Sequence, residues 1–128
     1  MRKIKFKAKR LNDQEWVYGY FYKENDNTYI IEDCQQESML NRNIPYKVNP
    51  DTVCQFTGYV DKNGKEIYEG DVIHIGPDYC VVIWVEDLGG FYPKVDYAKL
   101  PCTSPLGAML CRYNIEVIGN IHDDQKGG

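Results

Sequence analysis

Residues Thr52 to Asp71 read TVCQFTGYVDKNGKEIYEGD and run without a break into Val72-Ile73-His74-Ile75. Two short β-prone runs in this stretch flank Asp61-Lys62-Asn63-Gly64. Asn-Gly between such runs is the strongest short-range hairpin signal, because both residues tolerate positive φ. A hairpin is therefore expected with arms Gln55 to Val60 and Lys65 to Tyr68. The second arm ends at Glu69-Gly70-Asp71, residues suited to reversing the chain, and a new strand starts at Val72.

Toward the C-terminus the chain continues as Val72 to Ile75, a turn at Gly76-Pro77-Asp78, Tyr79 to Val85, a turn at Leu88-Gly89-Gly90, and Phe91 to Val95. Closely spaced short strands with Gly-rich turns predict a small barrel. Both faces of Tyr79 to Val85 are apolar, which predicts a central strand, with Val81, Ile83 and Val85 expected in the core. Asp96 to Arg112 contains Pro101 and Pro105, shows little periodicity, and reads as a long loop with room for a helical turn. Asn114 to His122 (NIEVIGNIH) is expected to close the sheet, with Gly119 marking a bulge or bend.

Toward the N-terminus, Ile4, Phe6 and Ala8 alternate with Lys3, Lys5, Lys7 and Lys9. A period of two predicts a half-buried strand whose lysines face water, where they discourage edge-to-edge aggregation. Trp16 to Tyr22 (WVYGYFY) reads as a second strand with Trp16, Tyr18, Tyr20 and Tyr22 on one face, and Thr28 to Ile31 pairs back on it after a polar turn. From Glu32 to Pro50 the pattern dissolves. Gln35 to Leu40 allows one helical turn, but Pro45 and Pro50 forbid a long helix, so the segment reads as an irregular excursion.

At 128 residues, 43% of them apolar and 13% aromatic, the chain suits a single domain over 1–122 followed by a fraying, disordered tail at 123–128. A charged start and the lack of any run near the roughly 18 apolar residues of a membrane span point to a cytoplasmic protein without membrane contact. Five cysteines, at 34, 54, 80, 102 and 111, form no CxxC pair and read as free thiols, with Cys54 and Cys80 as small buried strand residues.

The net charge of −4 hides an asymmetry. Arg2, Lys3, Lys5, Lys7, Lys9 and Arg10 fall in the first ten residues with no acid, leaving nine of the fifteen basic residues against all nineteen acids elsewhere. An acidic body argues against broad duplex binding, whose affinity comes from neutralised phosphates. A local basic stripe, Lys3, Lys5, Lys7, Lys9 and Arg10, stays open as a nucleic-acid contact.

Catalytic patterns fail one by one. Gly58 and Gly64-Lys65 miss the spacing of a phosphate loop, and Glu66 stands where Ser or Thr would meet magnesium. Glu69, Asp71 and His74 form a compact acid and imidazole cluster, but on a strand Asp71 and His74 point to opposite faces. No serine lies in a nucleophile elbow. The sequence therefore predicts no catalytic residues, no metal and no cofactor. What remains is an aromatic surplus of eleven Tyr, four Phe and two Trp, from which Tyr18, Tyr20, Trp84, Tyr92 and Tyr97 are the candidate interaction residues.

The stretch 52–75 together with Glu116-Val117-Ile118-Gly119-Asn120-Ile121 resembles the YopX family of small phage and prophage proteins, and Ile4 to Ala8 with Trp16 to Gly19 adds to the likeness. The resemblance implies a complex, mainly β fold around a five-stranded barrel similar to SH3 barrels, with long irregular loops, and no established biochemical activity. Together with the residue patterns it predicts a non-catalytic interaction protein that binds a host or phage protein and itself as a homo-oligomer. The alternative is a nucleic-acid-associated phage regulator using the basic N-terminal strand.

Overall fold

A computed structural model describes residues 4–32, 45–95 and 100–123. Lys3, Cys34, the Gln35 to Leu40 turn and Tyr97 lie outside the described residues. The chain divides into two compact units, Met1–Phe56 and Thr57–Gly128.

The first unit carries strands β1 (Phe6–Lys9), β2 (Trp16–Glu24), β3 (Asn27–Glu32) and β4 (Pro45–Val48), a 3₁₀ turn at Pro50–Thr52, and the start of β5 (Cys54–Val60). Its strand order is β4-β3-β2-β1-β5, antiparallel throughout. Ala8, Val17, Ile30 and Val48 form the core, with Phe6, Tyr46 and Val53 packed against them. Gly19 in β2 is required by a close approach, because a Cβ there would lie 2.0 Å from the Ile31 carbonyl oxygen. Thr52, the first residue of the signature stretch, ties β1 to the 3₁₀ turn. Its Oγ1 accepts from Lys9 N at 2.9 Å and donates to Asn49 O at 2.7 Å.

Beyond Phe56, β5 continues into the second unit and pairs with β6 (Glu66–Tyr68). The expected hairpin is present, with one correction to its turn. Gly64 alone takes positive φ, at 82°, while Asn63 does not. The turn closes instead through Gly64 N to Asp61 O at 2.9 Å and Asp61 N to Lys65 O at 2.8 Å. Strands β7 (Asp71–Ile75), β8 (Asp78–Val85), β9 (Gly90–Val95) and β10 (Ile115–Asn120) make an antiparallel sheet in the order β10-β7-β8-β9. Helix α1 (Leu106–Arg112) places seven helical residues in the segment expected as a loop.

The core of this unit gathers Ile67, Ile73, Ile75, Cys80, Val82, Leu106, Ile115 and Val117. Strand β8 is central as expected, between β7 and β9, but the expected core face is corrected. Cys80 and Val82 are the buried residues, whereas Val81, Ile83 and Val85 are half-buried on the other face. The cross-strand partners explain the choice. Val82 lies opposite the fully buried Pro93, while Val81 lies opposite Lys94.

The bulge expected at Gly119 is present, between Val117 and Gly119 of β10. No closed barrel is found among the described residues, and the fold is mainly β with two antiparallel sheets and one helix. Along β10, the Val117 N–H donates to Asp61 Oδ2 and the Ile115 carbonyl accepts from Lys62 N, so hairpin groups occupy these positions.

Candidate functional site

In the first unit, β1 and β2 pair with Lys7 opposite Tyr18 and Lys9 opposite Trp16, which puts these four side chains on one face. The lysines do not face water as the alternation suggested. Lys7 and Lys9 are only 8% and 6% exposed. Their ammonium groups lie 4.4 and 5.4 Å from the centre of the Trp16 ring, and the negative face of the indole attracts them. Lys5 is similarly placed over Phe56 at 5.7 Å. Arg10 sits over Tyr46 at 5.1 Å and is ion-paired with Asp13. That pairing raises the Arg10 pKa and lowers that of Asp13, chiefly through the hydrogen bond between them.

The tyrosines of the same face follow the expectation more closely. Tyr18 and Tyr20 are 43% and 50% exposed. Tyr22 stacks on Tyr29 of β3 with ring centres 5.1 Å apart. This arrangement can present a row of flat amphipathic rings to a partner.

In the second unit the sequence-predicted aromatics do not converge. Trp84 faces Phe91 across the strand pair, ring centres 5.0 Å apart, and its indole N–H donates to Glu86 Oε1 at 3.0 Å. Tyr92 lies opposite Ile83, hence on the other face of the sheet. On that face His74 stacks on Tyr79 at 4.7 Å and stands opposite Glu116. An apolar cleft of about 240 Å³ is lined by Val72, Tyr79, Cys80, Val81 and Ile121. Among the described residues no group of three or more His, Cys, Asp and Glu is gathered as metal ligands. No helix among them is long and apolar enough to cross a membrane.

The two stretches on which the family likeness rests meet through buried carboxylates. Asp61, 5% exposed, accepts from Asn63 N and Lys65 N at Oδ1 and from Val117 N at Oδ2, all within 2.9 Å. Burial alone would push its pKa up, but the three backbone N–H donors outweigh this and hold it below the usual aspartate value. Asp71, 1% exposed, accepts from Tyr68 N at 2.7 Å and from the Asn120 amide at 2.8 Å. Gly70 O accepts from Ile121 N at 2.9 Å. Sequence reasoning placed Asp71 at a chain reversal but did not find its pairing with Asn120, nor the reach of Asp61 to β10.

A family model described as YopX protein matches residues 5–126, nearly the whole chain. The chain belongs to the YopX family. A search of curated proteins returns no match. Within this YopX protein, Asp61, Asp71 and Asn120 are fold-making groups, Asp61 engaged with backbone and Asp71 and Asn120 with backbone and with each other.

Proposed function

We propose that this YopX protein is a non-catalytic interaction protein of phage or prophage origin, acting in the host cytoplasm, which binds a protein partner through the tyrosine face of β2. The observation that carries this reading is the exposure of Tyr18 and Tyr20, 43% and 50%, on one strand of an antiparallel sheet. Large rings held at the surface of a strand supply contact area at low entropic cost, because only two side-chain torsions are fixed on binding. A second copy of the chain is the simplest partner, since symmetric self-association is the commonest way to cover such a patch.

The nucleic-acid alternative is the weaker one. Its stripe of Lys3, Lys5, Lys7, Lys9 and Arg10 depends on free cations, whereas Lys7 and Lys9 are buried beside Trp16 and Arg10 is paired with Asp13. Light scattering tests the favoured reading. The wild type should exceed the monomer mass at micromolar concentration, and the Tyr18→Ser, Tyr20→Ser double variant should fall to the monomer with an unchanged circular dichroism spectrum. A wild type that is monomeric at high micromolar concentration would remove the self-association claim.

A further inference from the structure

We propose that Asn63 is a self-modification site, where water converts the side-chain amide through a succinimide to aspartate or isoaspartate at a rate gated by the hydrogen bond from Gly64 N to Asp61 O. Three observations meet at this turn. Asn63 is the only one of the nine asparagines in the sequence followed by glycine. It is exposed, and among the described residues its side-chain amide makes no hydrogen bond. Nothing lies within 4 Å of the Cβ position of Gly64, so water and hydroxide can reach both reacting groups.

The reaction needs no partner but water. Gly64 has no side chain to shield its nitrogen, whereas the residues after the other asparagines carry one or, at Pro50, lack an N–H altogether. Hydroxide removes the Gly64 amide proton, the nitrogen attacks Asn63 Cγ, and the new N–C bond closes a five-membered ring as the Cγ–Nδ2 bond breaks. Ammonia leaves with a proton taken from water, which restores the hydroxide. A second attack by water opens the ring. Cleavage of the bond to Cγ gives aspartate, and cleavage of the bond to the backbone carbonyl carbon gives isoaspartate. In sum one water enters and one ammonia departs, with no change of oxidation state.

In the folded turn the nucleophile is occupied. Gly64 N donates to Asp61 O at 2.9 Å, and Asp61 Oδ1 holds the amides on either side, Asn63 N at 2.8 Å and Lys65 N at 2.9 Å. Ring closure requires the Gly64 bond to open, which slows the folded chain about tenfold relative to an unfolded one. The product has a consequence for the fold. Isoaspartate lengthens the main chain by one methylene before Gly64, and so draws Gly64 N and Lys65 N away from Asp61, the residue that also accepts from Val117 N of β10.

The test incubates the full chain in mildly alkaline heavy-oxygen water, once folded and once unfolded in guanidinium chloride, and follows every asparagine-bearing peptide by mass spectrometry. The expected result is a mass shift equal to an amide nitrogen replaced by one heavy oxygen, at Asn63 before any other asparagine and about tenfold faster in the unfolded chain. Part of the product should accept a methyl group from an isoaspartyl methyltransferase added as a probe. Gly64→Ala should remove the fast conversion even in the unfolded chain, where backbone strain plays no part. Asp61→Asn, with its fold verified by circular dichroism, should bring the folded rate toward the unfolded one. Conversion of other asparagines first, no conversion at Asn63, or equal rates in the folded and unfolded wild type would each overturn the proposal.

Discussion

The Asn120 side-chain amide donates to Asp71 Oδ1 at 2.8 Å, joining the start of β7 to the end of β10 across 49 residues of sequence. Both residues are buried, at 6% and 1% exposure. The same aspartate caps the reversal after β6 by accepting from Tyr68 N. Asp71→Ala should strip acceptors from buried donors at both places and cost about 2–3 kcal/mol. Asn120→Ala should cost less, about 1–2 kcal/mol, because Asp71 keeps its backbone donor. Urea unfolding of both variants checks the order, and equal small losses would show that the contact contributes nothing to stability.

Asp61 predicts an acid-sensitive fold. Its folded pKa is depressed below the ordinary value by three backbone donors, so the group stabilises the fold above its unfolded pKa and that contribution disappears as pH falls through the folded value. Stability should therefore decline as pH drops below about 4. Asp61→Asn should be less stable at pH 7 and should lose stability less steeply below that point. Melting temperatures of both proteins measured from pH 7 to pH 3 decide it, and parallel curves would count against the assignment.

The difference between the two faces of β8 can be measured directly. Val82 is fully buried and Val81 only half so. Val82→Ala should cost about 2 kcal/mol, and Val81→Ala clearly less. The reverse order, read from chemical denaturation, would restore the face that alternation suggested.

These elements show where local patterns suffice and where they stop. The hairpin, the reversal at Glu69-Gly70-Asp71 and the central place of β8 follow from turn chemistry and apolar runs, which act over a few residues. The face of β8 does not follow, because Val81 and Val82 are equally apolar. It is set by what lies opposite each, Lys94 and Pro93, on another strand. The extent of helix α1 was illegible beyond the helical turn the segment allowed, since LGAMLCR after Pro105 is too short to show a periodicity and is held by packing of Leu106, Met109 and Leu110 on the core. The Asp71 to Asn120 contact leaves no short-range trace at all.

Two glycines meet different backbone demands, Gly64 positive φ alone and Gly19 positive φ with a close approach. Gly64 has φ of 82° with nothing within 4 Å of its Cβ position, so Gly64→Val should cost about 1 kcal/mol or more through the backbone alone. Gly19→Ala meets both demands, a φ of 156° and the Ile31 carbonyl oxygen 2.0 Å from its Cβ, and must push β3 away from β2. It should cost more, about 2–3 kcal/mol, comparable to overpacking a core. Thermal unfolding separates them, and a harmless Gly19→Ala would mean that the strands part freely there.

Trp16 stands between the buried lysines of the first unit and its exposed tyrosines. Two ammonium groups lie against its ring, and on the same face Tyr18 and Tyr20 reach outward. Removing the ring in Trp16→Leu should therefore cost stability through lost area and lost cation–π attraction, about 1–2 kcal/mol for the latter. It should also bring Lys7 and Lys9 into water. That second effect has its own readout. Binding of single-stranded DNA should be weak in the wild type and should strengthen in Trp16→Leu at low salt, with a steeper fall as salt rises, because freed cations release more counterions on meeting phosphates. Trp16→Phe should restore part of the stability and suppress the DNA binding, since a phenyl ring still offers a negative face to the lysines. Tight, strongly salt-dependent DNA binding by the wild type, abolished by Lys7→Gln and Lys9→Gln, would show instead that the stripe is available without any change in Trp16.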